Sequence, residues 1–256
     1  DRQAILHQDQ KIYQGRFTFQ ANDKNKFGVT IDQEAYCGCP FGVTAGVTPD
    51  AASDRRFPLQ RFVTADWTSP VNNRLLLEAS AIHRVERWGN MHLQTGKGEN
   101  IDALTPGITG IVDNPSLATR ASLTYRASSG TFNNSWNWNI HYRVAASYIT
   151  GSHNFKVGFN NAYLHHENTT YTDPTTPYSY NFVGGAPSQI VYRITPNAIA
   201  VNVDYDMGFF VQDRWTVGRW TLSGGLRFDA FKNSFPEQSV APTALAPNLN
   251  VRFDEI

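Results

Sequence analysis

The dominant pattern along this chain is alternation of apolar and polar positions with period two. Between Trp220 and Asp229, Trp220, Leu222, Leu226 and Phe228 fall on one side, and Thr221, Ser223, Arg227 and Asp229 on the other. Successive side chains of a strand point to opposite faces, so this segment is a strand with one apolar and one polar face. The segment before it repeats the pattern. Met207, Phe209, Val211 and Trp215 oppose Phe210, Gln212 and Arg214, with Asp213 the one charge on the apolar side. Thr216-Val217-Gly218-Arg219 reads as a tight turn, so 206–229 is expected to be a β-hairpin with strands of about ten residues.

The same unit recurs upstream. Phe17 and Phe19 alternate with Thr18 and Gln20, a turn follows at 22–26, and Phe27, Val29 and Ile31 lead away. Val63, Ala65 and Trp67 enter a turn at 69–73, and Leu75, Leu77 and Ala79 leave it. Trp136, Trp138, Ile140, Tyr142, Val144, Ala146 and Tyr148 oppose Asn137, Asn139, His141, Arg143 and Ser147. That strand turns at 150–154 and returns through Phe155, Val157, Phe159 and Tyr163. Further strands are expected at 189–195 and, more weakly, at 119–127.

Connections between hairpins, at 34–59, 87–117, 167–187 and from 230 onward, are long and rich in Pro, Gly, Asn, Thr and Asp. Short turns and long loops therefore alternate. In an up-and-down antiparallel sheet this collects short turns at one end and long loops at the other, as in an outer-membrane barrel. The expected fold is all-β: a segment of an antiparallel up-and-down transmembrane β-barrel, with about eight or nine long strands. About ten residues at ~3.3 Å each, tilted near 45°, cross roughly 25 Å of hydrocarbon. Trp67, Trp215, Trp220, Phe27 and Phe155 lie within a few residues of a short turn, where amphipathic rings would form a girdle at the membrane boundary. Alternation by itself fits a soluble sandwich equally well, since only the solvent of each face differs. A secreted β-sandwich or adhesin module binding carbohydrate through loop aromatics is the alternative.

Composition narrows the function classes. Twenty-two basic and 22 acidic residues cancel, so nothing suggests the basic footprint of a nucleic-acid partner. Lys and Glu, both good helix formers, occur only 6 and 7 times in 256 residues, which favours strands over helices. No apolar run approaches the roughly 18 residues of a spanning helix. No basic-then-apolar leader precedes the first strand, and the chain reads as a mature piece or a fragment. All of 1–256 is expected to be partial barrel, with no plug domain.

Candidate chemistry is sparse. Cys37 and Cys39 in Tyr-Cys-Gly-Cys-Pro suggest a local disulfide or free thiols in a loop, since a tetrahedral metal site would need a second ligand pair. His165 and His166 are adjacent, so on a strand their rings diverge instead of converging on a metal. No metal site, cofactor or catalytic residue is expected, since no catalytic or phosphate-cradling motif occurs. For ligand contact the candidates are Trp88, His92, His165, His166, Tyr171, Tyr178 and Tyr180, all expected in external loops. Asn137, Asn139, His141, Arg143, Thr221 and Arg227 are expected to line a wet lumen.

One hairpin is more specific. Tyr205 to Thr216, which contains Phe210-Val211-Gln212-Asp213-Arg214-Trp215, and Trp220 to Asp229, which contains Gly224-Gly225-Leu226-Arg227-Phe228-Asp229, resemble TonB-dependent outer-membrane receptors. That family repeatedly shows an aromatic-x-Gln-Asp-x-Trp strand, a short turn and a Leu-x-x-Gly-Leu-Arg-aromatic-Asp strand. The style is nearest to the receptors with a carboxypeptidase-regulatory-like N-terminal domain. The resemblance implies an outer-membrane location, import of a scarce bulky nutrient such as a siderophore or oligosaccharide, and drive from a TonB-type partner. Members have about 22 strands and a plug. With about eight or nine strands and no plug-like sequence, the chain is expected to be an internal piece of such a barrel. The partner would be engaged through a plug that this chain lacks, and outer-membrane lipid would surround the wall.

Overall fold

The computed structural model describes residues 6–92, 108–115, 121–128, 130–172, 176–195 and 197–256, without the side chains of Met91 and His92. In chain order the strands are β1 Gln8–Asn22, β2 Asn25–Phe41, β3 Ser53–Pro70, β4 Leu75–His92, β5 Ile111–Asn114, β6 Leu123–Tyr125, β7 Phe132–Thr150, β8 His153–Tyr171, β9 Tyr178–Val183, β10 Ala186–Tyr192, β11 Asn197–Val217, β12 Trp220–Ser234, β13 Gln238–Val240 and β14 Val251–Phe253. Eight of them form one antiparallel sheet in the order β1-β2-β3-β4-β7-β8-β11-β12, so neighbours along the chain are neighbours in space. Among the described residues, β1 and β12 each pair on one side only.

The register carries each face across the whole sheet. One row runs Phe17, Val29, Ala65, Ala81, Tyr142, Asn161, Met207, Ala230. The neighbouring row on the other face runs Thr18, Gly28, Asp66, Ser80, Arg143, Asn160, Gly208, Asp229. Among the described residues the apolar face carries no covering layer: Phe17, Ile140, Val144, Phe209, Leu226 and Phe228 all remain exposed. A soluble sandwich would bury that face under a second sheet. The alternative of a secreted sandwich is therefore excluded.

The four short turns meet at one end. Ile149 N–H donates to Arg74 O, Thr216 N–H to Ser152 O, and Lys24 Nζ to Val71 O. Their local chemistry is legible. The Asn22 side-chain oxygen accepts the N–H groups of Lys24 and Asn25, and Asn72 does the same for Arg74 and Leu75. These are Asx-type turns. Gly151 and Gly218 supply the left-handed positions of the other two, with φ 55° and 58°.

The strands are longer than expected. They run 15 to 21 residues instead of about ten. Much of what reads as loop in 34–59, 87–117, 167–187 and the start of 230 onward belongs to β2, β3, β4, β8 and β12. Nineteen residues of β7 reach about 60 Å, or roughly 45 Å at a 45° tilt, well past a 25 Å apolar band. Beyond that band both faces of a strand are wet, so alternation disappears while the backbone ladder continues. The segment 189–195 is not a wall strand. Its core, with β9, β5 and β6, forms a separate four-stranded sheet in the order β10-β9-β5-β6. The 119–127 candidate contributes only β6, and β5 pairs parallel to β9. The β2–β3 connection joins this sheet through Thr48 N–H to Thr124 O and Thr124 N–H to Gly46 O. The three longer connections at this end thus hold one another.

Candidate functional site

The polar face is built on glycine. A Cβ on Gly158 would lie 2.3 Å from the Phe210 ring, and one on Gly208 would lie 2.3 Å from the Arg227 guanidinium. Only hydrogen at these positions lets Phe210 lie across β8 and Arg227 across β11. The Arg143 guanidinium sits over the Phe210 ring at 5.5 Å. The Arg227 Nε and Nη2 atoms donate to Asp229, at 2.7 Å each for Oδ1. Beside this cluster Lys156 reaches Glu78 at 2.6 Å across the small Ala145 of β7. Toward β1 the face becomes acidic. Arg84 Nη2 donates to Glu86 at 2.8 Å, Gln60 Nε2 to Glu86 at 3.0 Å, and Gln14 Nε2 to Asp32 at 3.2 Å.

Asn137, Asn139, His141, Arg143 and Arg227 all lie on this polar face, Arg227 being linked to β7 through Phe210, Gly158 and Ala145. Thr221 shares it through Thr216 on β11, at the short-turn end. The opposite face carries Trp67, Trp215 and Trp220 beside the short turns. Trp67 Nε1 donates to Asn25 Oδ1 at 2.9 Å and Trp215 Nε1 to Ser152 Oγ at 3.1 Å, while Trp220 is 70% exposed. The Trp67 and Trp215 rings thus tie their polar edges to the turns. Asp213, the odd charge of the apolar face, is hydrogen-bonded to His153 Nδ1 at 2.6 Å. His153 is itself stacked on Phe155 and Trp215, at 5.3 and 5.6 Å.

At the far end a bulge reshapes the polar face. Register shifts around Phe57-Pro58 in β3, where Pro58 offers no N–H to the ladder, turn Arg55 and Phe57 to the polar side. There Arg55 is enclosed by Trp88, Phe57 and Phe41 at 4.9, 5.3 and 5.5 Å, and donates to Asn90. Tyr36 packs edge-on against Phe57 at 5.7 Å. In the outer sheet Tyr178 and Tyr180 pack together at 5.7 Å. The half-buried Arg193 donates to Ser179 Oγ at 3.0 Å, and burial pushes its pKa below the usual value.

The aromatic and histidine candidates do not converge. Trp88, His165, His166 and Tyr171 stand in wall strands instead of loops, because β4 and β8 extend further than alternation suggested. His165 faces the apolar side, stacked on Trp138 at 6.2 Å and bonded to Asn202. His166 faces the polar side and bonds Asn137. Tyr171 packs against Phe132. His92 ends β4, and its side chain lies outside the described residues. Cys37 and Cys39 are joined in a disulfide, within β2 and not in a loop. No group of three or more metal-type ligands forms among the described residues. Sequence reasoning missed Arg55, Phe57 and Tyr36, which needed the bulge to meet, and undervalued Phe210. The available signal was a large aromatic at an otherwise polar position of β11.

The family model described as "Outer membrane beta barrel domain" matches residues 2–248. The fold is similar to the crystal structure of the outer membrane transporter YddB from Escherichia coli, with a TM-score of 0.54 and 12% identity. That similarity covers 90% of this chain but 29% of the transporter, so the chain spans less than a third of its length. At such identity the likeness concerns the fold alone. No curated protein matches the chain. Long strands paired in chain order, with one wet face and one uncovered apolar face, are what a membrane wall requires. With the family model matched over nearly its whole length, the chain belongs to the outer membrane β-barrel domain family and resides in the outer membrane.

Proposed function

We propose that this chain is part of the wall of a TonB-dependent outer-membrane receptor that imports a scarce, bulky nutrient such as a siderophore or oligosaccharide. The observation that carries the reading is the pair of one-sided strands, β1 and β12, that form the two edges of the eight-stranded wall. Unpaired N–H and C=O groups at membrane depth cost several kcal/mol each, so such edges call for further strands and a wider barrel. The hairpin 205–229, with its Gln-Asp-x-Trp and Gly-Leu-Arg-aromatic-Asp segments, supports the TonB-dependent subgroup.

In this reading the apolar face meets lipid and the polar face, with Asn137, Asn139, His141, Arg143 and Arg227, lines the lumen. The short turns lie in the periplasm and the outer sheet faces the medium. The role is transport and not catalysis. Coupling to a TonB-type protein passes through a plug carried elsewhere than in this wall. Trp88, Tyr178 and Tyr180 remain the ligand-contact residues of choice, Trp88 at the lumenal rim and the tyrosines in the outer sheet.

The test is uptake by cells expressing the full-length protein, with labelled siderophores and oligosaccharides offered in turn. Uptake should stop when the TonB-type partner is deleted or the proton gradient is collapsed. Uptake that persists without either would refute the energy-coupled reading and favour a passive pore.

A further inference from the structure

We infer that the apolar face carries, toward its outer-sheet end, a binding site for the phosphate head group of an anionic lipid, centred on Arg61 of β3 and His83 of β4. The inference rests on the reading of that face as lipid-facing and of the outer sheet as external. It assigns one lipid class to one patch of the wall.

The register places the patch. One row of the apolar face runs Ile31, Val63, His83, Ile140, Tyr163. The next row, farther from the short turns, runs Gln33, Arg61, Val85, Trp138, His165. The strands that carry them, β2, β3, β4, β7 and β8, are each paired on both sides, so these neighbours do not depend on further strands.

Three observations converge. First, Arg61 and His83 are basic groups without a partner. Among the described residues neither makes a hydrogen bond or an ion pair, and Arg61 is exposed. The basic groups around them are engaged: Arg87 donates to Asn134 at 3.1 Å, and His165 bonds Asn202 at 2.7 Å. The following row runs Leu59, Arg87, Trp136, Glu167. In these three rows the one acid is Glu167, two strands from Arg87 and bonded by the Thr169 hydroxyl.

Second, the depth calls for a counter-charge. Arg61 lies nine residues before the end of β3 and Trp67 three, while His83 lies eight after the start of β4. At ~3.3 Å per residue with a 45° tilt, Arg61 and His83 stand roughly 20 Å above the short turns. That is about 14 Å above Trp67 for Arg61, in the outer half of a hydrocarbon band of roughly 25 Å. A bare charge on a lipid face is costly at mid-depth and cheap at the head groups, and the apolar arginine stem lets the guanidinium reach up to them. A guanidinium that arrives there unpaired takes a phosphate in a two-pronged fashion.

Third, the surroundings form a cradle. Val85 is only 7% exposed on a face that is otherwise uncovered. It is flanked across the sheet by Arg61 and Trp138, and along β4 by His83 and Arg87. Larger side chains thus ring a low apolar centre. Trp138, twelve residues from the end of β7, stands higher than Arg61 and brings an indole to the boundary layer. Guanidinium, imidazole and indole about an apolar dip suit the head group and upper chain of an anionic lipid. A second copy of this chain suits the patch less, since the matching face would bring the same bases and a single acid.

The experiment uses the full-length protein in neutral detergent, with phosphatidylglycerol and phosphatidylcholine as probes and native mass spectrometry as the readout. Wild type should retain phosphatidylglycerol in preference to phosphatidylcholine. Arg61→Gln should weaken phosphatidylglycerol binding about fivefold, and the double variant with His83→Gln should weaken it further. Arg61→Lys should recover only part, because an ammonium keeps the charge without the fork. Arg143→Gln, on the opposite face, should leave binding unchanged. An unchanged β circular-dichroism spectrum checks that each variant is folded. Equal retention of the two lipids by wild type, or equal affinity in wild type and the double variant, overturns the proposal. So does an equal loss in Arg143→Gln, which would mean attraction to net charge and no site. Dimers that dissociate in the double variant would assign the patch to a second copy instead.

A separate measurement isolates the lipid-facing reading. A spin label on Val63→Cys, in vesicles, should be relaxed by dissolved oxygen more than by a water-soluble nickel chelate. The reverse would refute the lipid face itself, whereas oxygen access without a phosphatidylglycerol preference would refute the site alone.

Discussion

Two kinds of residue hold the faces of this sheet in place, glycines on the polar side and a bonded His153–Asp213 pair on the apolar side. Gly158 sits between the Phe210 ring and the Val144 carbonyl, and a Cβ there would lie 2.9 Å from that carbonyl oxygen. Gly158→Val should therefore overpack, costing about 1–3 kcal/mol, read as a lower midpoint in urea unfolding from lipid vesicles. An unchanged midpoint would show that Phe210 moves aside freely. His153 and Asp213 form their pair between Phe155 and Trp215, and Asp213 Oδ1 is buried without a partner. Removing His153 leaves the Asp213 carboxyl without its partner, whereas removing both can be neutral. His153→Leu should cost about 1–3 kcal/mol and the double variant with Asp213→Leu should fall within ~1 kcal/mol of wild type, in the same unfolding assay. The sequence marks Asp213 as misplaced. It does not show the partner, which is 60 residues away and arrives through strand pairing.

For whole strands, the apolar stripe of β7 makes the sharpest claim. Trp138, Ile140, Tyr142 and Val144 stand on the uncovered apolar face, which the proposed reading turns to lipid, and Tyr142 packs against Phe159 and Tyr163 at 6.0 and 6.4 Å. Tyr142→Arg should cost roughly 2–4 kcal/mol if the position lies near the bilayer midplane, measured by reversible folding into vesicles. A loss below ~0.5 kcal/mol would remove that face from the lipid core. Beside Tyr142 the β8–β11 ladder shifts between Val203 and Asp206. The buried Asn161 fills the gap, accepting Asp206 N–H at 3.1 Å and donating to the Tyr142 hydroxyl at 3.3 Å. A polar residue on the apolar face is acceptable there because both ends of its amide are bonded.

The whole molecule is decided by its edges and its ends. β1 is exposed along all 15 residues, and both edge strands offer unpaired backbone groups beside an uncovered apolar face. Residues 1–256 expressed alone should aggregate or need detergent; a monodisperse, folded species in plain buffer would sink the membrane reading. Orientation is tested on intact cells with a maleimide that cannot cross the outer membrane. Ser188→Cys, in the outer sheet, should label, and Asp23→Cys, in a short turn, should stay silent. Equal labelling at both would rule out the proposed sidedness. Cys37 and Cys39 should contribute no background, being joined to each other.

The sequence by itself determined the all-β class, the two faces of each strand, the four short turns and their gathering at one end. Those are local properties: period two sets which face a side chain takes, and Asn22, Asn72, Gly151 and Gly218 set the turns within a few residues. Tertiary structure alone decided where strands end, because beyond the apolar band both faces are wet and only the neighbour's hydrogen bonds keep a segment extended. It also decided the outer sheet: β6 and β10 overlap segments expected as strands, but only their pairing with β5 and β9 takes them out of the wall. The same holds for the Arg143–Phe210–Arg227 cluster and the ring of aromatics about Arg55. Each gathers residues from different strands, and one residue of slippage would turn a strand's side chains to the other face.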